Sequence, residues 1–203
     1  MKKVIFFTLL ALMAVTNIKA QSNERDSWDI FVMPKVGSCY SNFTGVDNGE
    51  FKFGFIGGIQ VEVFFNPQLA FDTEISFSHQ GSHNYINPAT KEPNDARLNY
   101  LNMDYLLRVY PFKGLNRFSL YTGIHGGDMV WCKIDNQDKL DYMNKGDIGI
   151  PVGIGYEFGH FAVDARYIYS FRKLAHDDIA KKNMGDAKLM TFALTIGYKI
   201  QVF

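Results

Sequence analysis

Cysteine is scarce in this chain: two residues in 203, Cys39 and Cys132. That excludes a disulfide-dense secreted scaffold. An excess of one charge is also missing. Lysine plus arginine number 21 and aspartate plus glutamate number 21. The basic field that grips nucleic acid is therefore absent, and no nucleic-acid partner is expected. Beyond residue 15 there is no long apolar run of the roughly 20 residues a membrane-spanning helix needs. A mature chain that crosses a bilayer would have to do so with strands. Disorder is excluded by a hydrophobic content of 47%.

The N-terminus is an address. Lys2 and Lys3 are followed by an almost purely apolar run over 4–15, then by Ala20 ahead of Gln21. This order predicts a signal peptide over 1–20. Gln21 stands where a lipoprotein would need cysteine. Lys2, Lys3 and Lys19 would leave with the leader, and no acid would, so the mature chain carries a net −3. Residues 21–27 are polar and read as a flexible lead-in. The domain proper is expected over 28–203.

From Trp28 onward the apolar residues recur every second position. Over 147–158, Ile148, Ile150, Val152, Ile154, Tyr156 and Phe158 share one face, opposite Asp147, Gly149, Pro151, Gly153, Gly155 and Glu157. A strand places those six on one side and a helix does not. Similar alternation marks 53–65, 69–79, 99–109, 161–171 and 188–203. It is weaker over 28–40, where Lys35 and Gly37 oppose Ile30, Val32 and Val36, and over 117–131, where Gly123, Gly126 and Gly127 blur the register. These make eight strands. Their connections alternate: short at Asn66-Pro67, at Pro111 to Asn116 and at Gly159-His160, long at roughly 41–52, 81–97, 132–146 and 172–187. An up-and-down meander with that rhythm gathers every long loop at one end, as outer-membrane barrels do.

The polar face carries Lys35, Glu62, Asp72, Glu74, Asp104, Arg108, Glu157, Asp164, Arg166 and Lys199. The apolar face is continuous for about ten residues, the length of a tilted membrane strand. Rings gather towards both strand ends, Phe65, Phe112, Phe158 and Phe161 at one and Phe53, Phe77, Trp131 and Phe171 at the other. The expected fold is an all-β, eight-stranded antiparallel transmembrane β-barrel with apolar side chains outward and paired ions inside. The competing arrangement is a soluble lipocalin-type barrel with the apolar face inward.

Several segments also resemble the PorT-like family of Bacteroidetes outer membrane proteins, the outer membrane protein β-barrel domain. They are the run from Tyr100 to Phe112 (YLNMDYLLRVYPF), Gly153-Ile154-Gly155-Tyr156-Glu157-Phe158, Ala165-Arg166-Tyr167-Ile168-Tyr169 and Gly197-Tyr198-Lys199. The resemblance covers essentially the whole mature chain. It implies an eight-stranded barrel in the Gram-negative outer membrane, and it implies no reaction. The chain departs from the family at Asp104, where a proline is usual, and in its ending Ile200-Gln201-Val202-Phe203.

Candidate chemistry is thin. Ser76, Ser78, His79, Ser82 and His83 cluster near one rim with Glu74 behind. A PagL-type lipid A hydrolase would need a serine and a histidine within hydrogen-bond reach. Adjacent strand residues such as Ser78 and His79 point to opposite faces, which separates them. His79 and His83 have helical, not strand, ligand spacing; His125, His160 and His176 are scattered; Asp47-Asn48-Gly49-Glu50 lacks full calcium-loop spacing. No catalytic, cofactor or metal residue is assigned. Within strands, Asp164 shares a face with Arg166 and Asp104 with Arg108, so an ion network plugging the lumen is expected in preference to a pore. Cys39 and Cys132 fall on strands at opposite sides of the ring, too far for a disulfide. The reading is a monomeric, non-enzymatic outer-membrane protein. It meets lipid and lipopolysaccharide around its wall and any extracellular or envelope protein partner through its long loops. The alternatives are a barrel enzyme acting on lipid A or phospholipid and a narrow pore.

Overall fold

A computed structural model describes residues 26–112, 117–135, 137–176 and 178–202. The leader, most of the lead-in, part of the turn that ends at Asn116, Asn136, Asp177 and Phe203 lie outside the described residues.

Ten strands form one closed antiparallel sheet. Eight are staves: β1 (Ile30–Thr44), β2 (Glu50–Asn66), β3 (Leu69–Ile86), β4 (Pro93–Val109), β5 (Phe118–Ile134), β7 (Gly146–Phe158), β8 (Phe161–Lys173) and β9 (Lys188–Tyr198). The two-residue β6 (Gln137–Asp138) folds back on the end of β5, and β10 (Ile200–Gln201) continues β9 along β1. Each stave pairs with the next, and β1 closes the ring on β9 from Lys35↔Gly197 to Thr44↔Lys188. Closure leaves no unpaired edge, which hydrocarbon would not tolerate.

The two blurred strands have definite registers. In β1, Phe31, Met33, Lys35 and Cys39 are buried in the lumen while Val36 and Tyr40 are exposed. In β5, Tyr121, His125 and Met129 turn inward, and Leu120, Ile124 and Val130 outward. Pro151 sits mid-stave in β7. The β5–β7 ladder is interrupted there, passing from Thr122↔Val152 to His125↔Gly149. Proline has no N–H to donate, and the Thr122 hydroxyl instead donates to the Pro151 carbonyl at 2.9 Å.

The staves are longer than the alternation indicated, so the long connections are shorter. β2, β3, β4 and β5 have 17, 18, 17 and 17 residues, against the 9–11 a tilted membrane strand requires. The excess lies at the long-loop end, where β1–β2 and β3–β4 are joined by 45–49 and 87–92 alone. The reason these segments read as loops is a reversal of polarity, clearest in β4. From Leu101 to Val109 the outward residues are Leu101, Met103, Tyr105, Leu107 and Val109, and the lumen receives Asn102, Asp104 and Arg108. One turn of the pleat further on, Arg97 and Asn99 face out and Ala96, Leu98 and Tyr100 face in. The strand keeps its period while its apolar face changes sides. Register shifts cluster around this level, between Phe51 and Ile56, Ser82 and Tyr85, and Asn99 and Tyr100. Bulges are the usual way a ladder re-aims its side chains.

The inward apolar residues of the projecting strands form a second hydrophobic core. Phe43, Tyr85, Leu98, Tyr100, Met129 and Cys132 pack with Met143, Leu174, Met184 and Leu189. A short helix, α1 (Asp178–Met184), and a 3-10 turn at Leu140–Tyr142 contribute Met184 and cover the end of the barrel. At the opposite end Phe31, Phe64, Ala70 and Tyr110 form a small aromatic plug.

Candidate functional site: the capped barrel end and the ions beneath it

The lumen between the two apolar ends is filled with charge. Lys35 Nζ donates to Gln60 at 2.9 Å, Glu74 at 3.0 Å and Asp164 at 2.7 Å, which uses all three ammonium protons. Arg108 donates to Asp72 at 2.8 Å, to Ser119 at 2.8 Å and to Asp164 at 3.0 Å. Arg166 joins Asp104 at 2.6 Å and Glu74 at 2.7 Å. The arginines thus pair across the lumen, Arg108 with Asp164 and Arg166 with Asp104, and not with the acids on their own strands. Residues two or four apart on one face run parallel from the wall, whereas a guanidinium on its long stem reaches the far side of a narrow barrel.

Glycine makes this possible on β7. A Cβ at Gly155 would lie 2.5 Å from Arg108 Nη1 and 2.6 Å from Asp164 Oδ1, and one at Gly153 would meet the Tyr121 ring. Tyr121 in turn lies under the Arg108 guanidinium at 4.3 Å. The small face of β7 is the space into which Asp164 of β8 and Arg108 of β4 fold.

Two further sets flank the centre. Near the short-turn end, Lys199 is held by Glu62 and by Glu157, the latter at 2.9 Å. The Tyr110 hydroxyl sits between the same two carboxylates at 2.6 and 2.7 Å. Towards the cap, His125 Nδ1 is 2.5 Å from Asp104, and Ser170 donates to Asp147 at 2.5 Å, with His125 Nε2 3.9 Å from that second acid. His125 in the ion network was missed by sequence reasoning, since the surrounding glycines hid which face of β5 it occupies.

The serine and histidine candidates are not brought together. Ser78 faces the lumen, accepting from Gln80 at 2.6 Å and Asn102 at 2.9 Å. His79 lies on the outer wall against Phe55 and Asn99. Ser82 donates to Asn42 at 2.7 Å, while His83 meets Asp95 at 3.1 Å. Partial burial would raise the Asp95 carboxyl, but bonds from His83 and the Asn84 amide outweigh it and hold Asp95 below the ordinary carboxylate range. Glu74 is committed to Arg166 and Lys35. Among the described residues no group of three or more His, Cys, Asp or Glu side chains could hold a metal ion. Cys39 and Cys132 are both buried as free thiols.

Above the ions, the cap contains a cavity of about 340 Å³ between the projecting ends of β3, β4 and β5, the 3-10 turn and α1. Its wall carries Tyr85, Asn94, Gln137 and Tyr142, and its floor Met143 and Met184.

No curated protein sequence matches the chain. Among solved structures, Ail, the attachment invasion locus protein of Yersinia pestis, superposes with a TM-score of 0.53 at 16% identity, over 85% of this chain and 99% of its own. Neisserial surface protein A gives 0.53 at 15% identity, over 84% of this chain and 97% of its own. Likeness at that identity carries the fold, a closed eight-stranded antiparallel barrel. The sequence itself matches the outer membrane protein beta-barrel domain over residues 19–176. With most of its length in that match and its wall apolar all round, the chain belongs to the outer membrane protein beta-barrel domain family, and its place is the outer membrane.

Proposed function

We propose that this protein is a non-enzymatic, monomeric anchor that holds a folded cap at the cell surface for contact with an extracellular or envelope partner. The observation that carries this reading is the reversal of polarity in the projecting strands. A barrel that only needed to span lipid would end its staves near the membrane and close them with polar loops. Here four staves run on for about 20 Å of strand and enclose a second apolar core, which suits a water-facing head of fixed shape. Fixed shape favours recognition, because a preorganised surface loses less entropy on binding. The wall meets lipid and lipopolysaccharide. The YLNMDYLLRVYPF segment supports placing the chain in the PorT-like branch of its family. We read residues 1–20 as its leader, so that the exported protein begins at Gln21.

The Ail structure was determined in complex with the heparin analogue sucrose octasulfate. For the present chain the test is adhesion. Cells displaying the full protein are compared with cells in which 139–145 and 174–187 are replaced by Gly-Ser linkers, on panels of glycans, matrix proteins and purified lipopolysaccharide. The reading expects binding that the replacement abolishes; equal binding by both strains rejects it.

The second reading, a lipid A hydrolase, has the serines, His79, His83 and Glu74 near one rim in its favour and their separate partners against it. Changing Ser78, Ser82 and His83 to Ala is expected to leave lipid A unaltered by mass spectrometry.

A further inference from the structure

We infer that the cap cavity is a binding site for a single neutral sugar ring, such as the terminal residue of a glycan. The inference deepens the anchor reading and rests on it. Size comes first. At about 340 Å³ the cavity stands at the small end of ligand pockets, which run from roughly 300 to 1,000 Å³. That suits one ring, not a peptide segment or an acyl chain.

Charge comes second. Among the described residues the lining contains one acid, Asp135, and one base, Lys139. With no excess of either sign, neither a phosphate or sulfate group nor a cation finds a matching field.

Hydrogen-bonding character comes third. The polar wall is built largely from amides, with Asn94 on β4 and Gln137 on β6, the two strands that flank the end of β5, and with Asn87 and Asn183, whose side chains bond to each other at 3.5 Å. A carboxamide presents donor and acceptor side by side, and so does a sugar hydroxyl. The Tyr85 hydroxyl adds a specific need. It is buried, with the Asn94 side chain beside it, and makes no well-formed hydrogen bond. A buried hydroxyl left so is costly, and a ligand hydroxyl in the cavity would relieve it.

The apolar part fits the other face of a pyranose. Met143 and Met184 are buried beneath, and Tyr142, 44% exposed, stands at the opening, where its ring can cover the C–H face of a bound sugar. The rim is held in place. Asp135 adopts a left-handed φ of 47° and is tied to Asp95 in both directions, its amide donating to the Asp95 carbonyl and its carboxylate accepting from the Asp95 amide at 2.9 Å.

The test uses the full-length mature protein in lauryldimethylamine oxide, because alkyl-glucoside detergents would compete. Saturation-transfer NMR is run with glucose, galactose, mannose, fucose, N-acetylglucosamine and N-acetylgalactosamine, with a heparin disaccharide and a cationic peptide as charged comparators. At least one neutral sugar should bind with a Kd on the order of 1 mM, and Gln137→Ala and Tyr142→Ala should each weaken it about ten-fold. Tyr85→Phe removes the hydroxyl and keeps the ring, so it should weaken sugar binding while the barrel's heat-dependent gel mobility stays unchanged. No binding of any neutral sugar, binding of only the charged comparators, or binding indifferent to all three substitutions overturns the inference. The adhesion assay separates the two claims. Cap-dependent adhesion with no neutral-sugar binding rejects the pocket and keeps the anchor, whereas adhesion that ignores the cap rejects the anchor.

Discussion

At the scale of single residues, the lumen shows why pairing matters more than charge. Asp164 is shared by Lys35 and Arg108 at 2.7 and 3.0 Å, and all three side chains are almost wholly buried. Removing the carboxylate leaves two buried cations short of a partner, which typically costs about 3–5 kcal/mol. Asp164→Ala should therefore lower the urea midpoint of the barrel refolded into lipid vesicles by that amount of stability. Asp186 makes an ion pair of similar length with Lys173, 2.6 Å, but in open solvent. Its carboxyl is held below the ordinary range by Lys173, yet water screens the exposed pair. Asp186→Ala should leave the midpoint where it was. Equal shifts from the two variants would mean that water reaches the lumen freely and that the ions there are solvated, not paired.

At the scale of the strand, β4 carries two environments on one period. Tyr105 lies at the middle of its apolar outer face, where an arginine should cost about 2–4 kcal/mol. Eight residues away Arg97 already points outward in the native chain. Arg97→Ala should change stability by no more than about 0.5 kcal/mol. Between them Leu98 turns inward to the cap core. Leu98→Ala should cost about 2–5 kcal/mol and speed amide hydrogen exchange in α1 before the membrane-level staves. The same reversal sets how much could be read from the sequence. Eight strands, the alternation of turns and the inward ions were legible, because side chains within the apolar band obey one rule. The projecting ends were not. There Arg97 occupies the outer face, and the segment 81–97 around it reads as loop. Only in three dimensions does it emerge that Tyr85, Leu98 and Cys132 meet each other. The cavity is built from four separate stretches of the chain, and no local pattern announces it. The ion pairs were legible as a population but not as partners, since Arg108 and Arg166 each pass over the nearest acid of their own strand.

At the scale of the whole molecule, three layers lie along the barrel axis: the aromatic plug around Phe31 and Phe64, the ion network, and the apolar cap. An eight-stranded barrel has an interior that side chains can fill, and here each layer fills it in a different way. Conduction would have to breach all three. Lys199 closes the first, with its ammonium over the Phe31 ring at 4.8 Å and bonded to Glu62 and Glu157. Arg108 and Arg166 close the second by spanning the lumen to Asp164 and Asp104. α1 and the 3-10 turn close the third. Planar bilayers containing the purified protein should accordingly show no stable single-channel current. Replacing 174–187 by a flexible linker removes one layer only, so that variant should remain silent as well. If the linker variant conducts steadily while the full protein does not, the cap is the gate and the ions beneath it form a lined path; if both are silent, the charges serve as filling, and whatever the protein does is done at its outer surface.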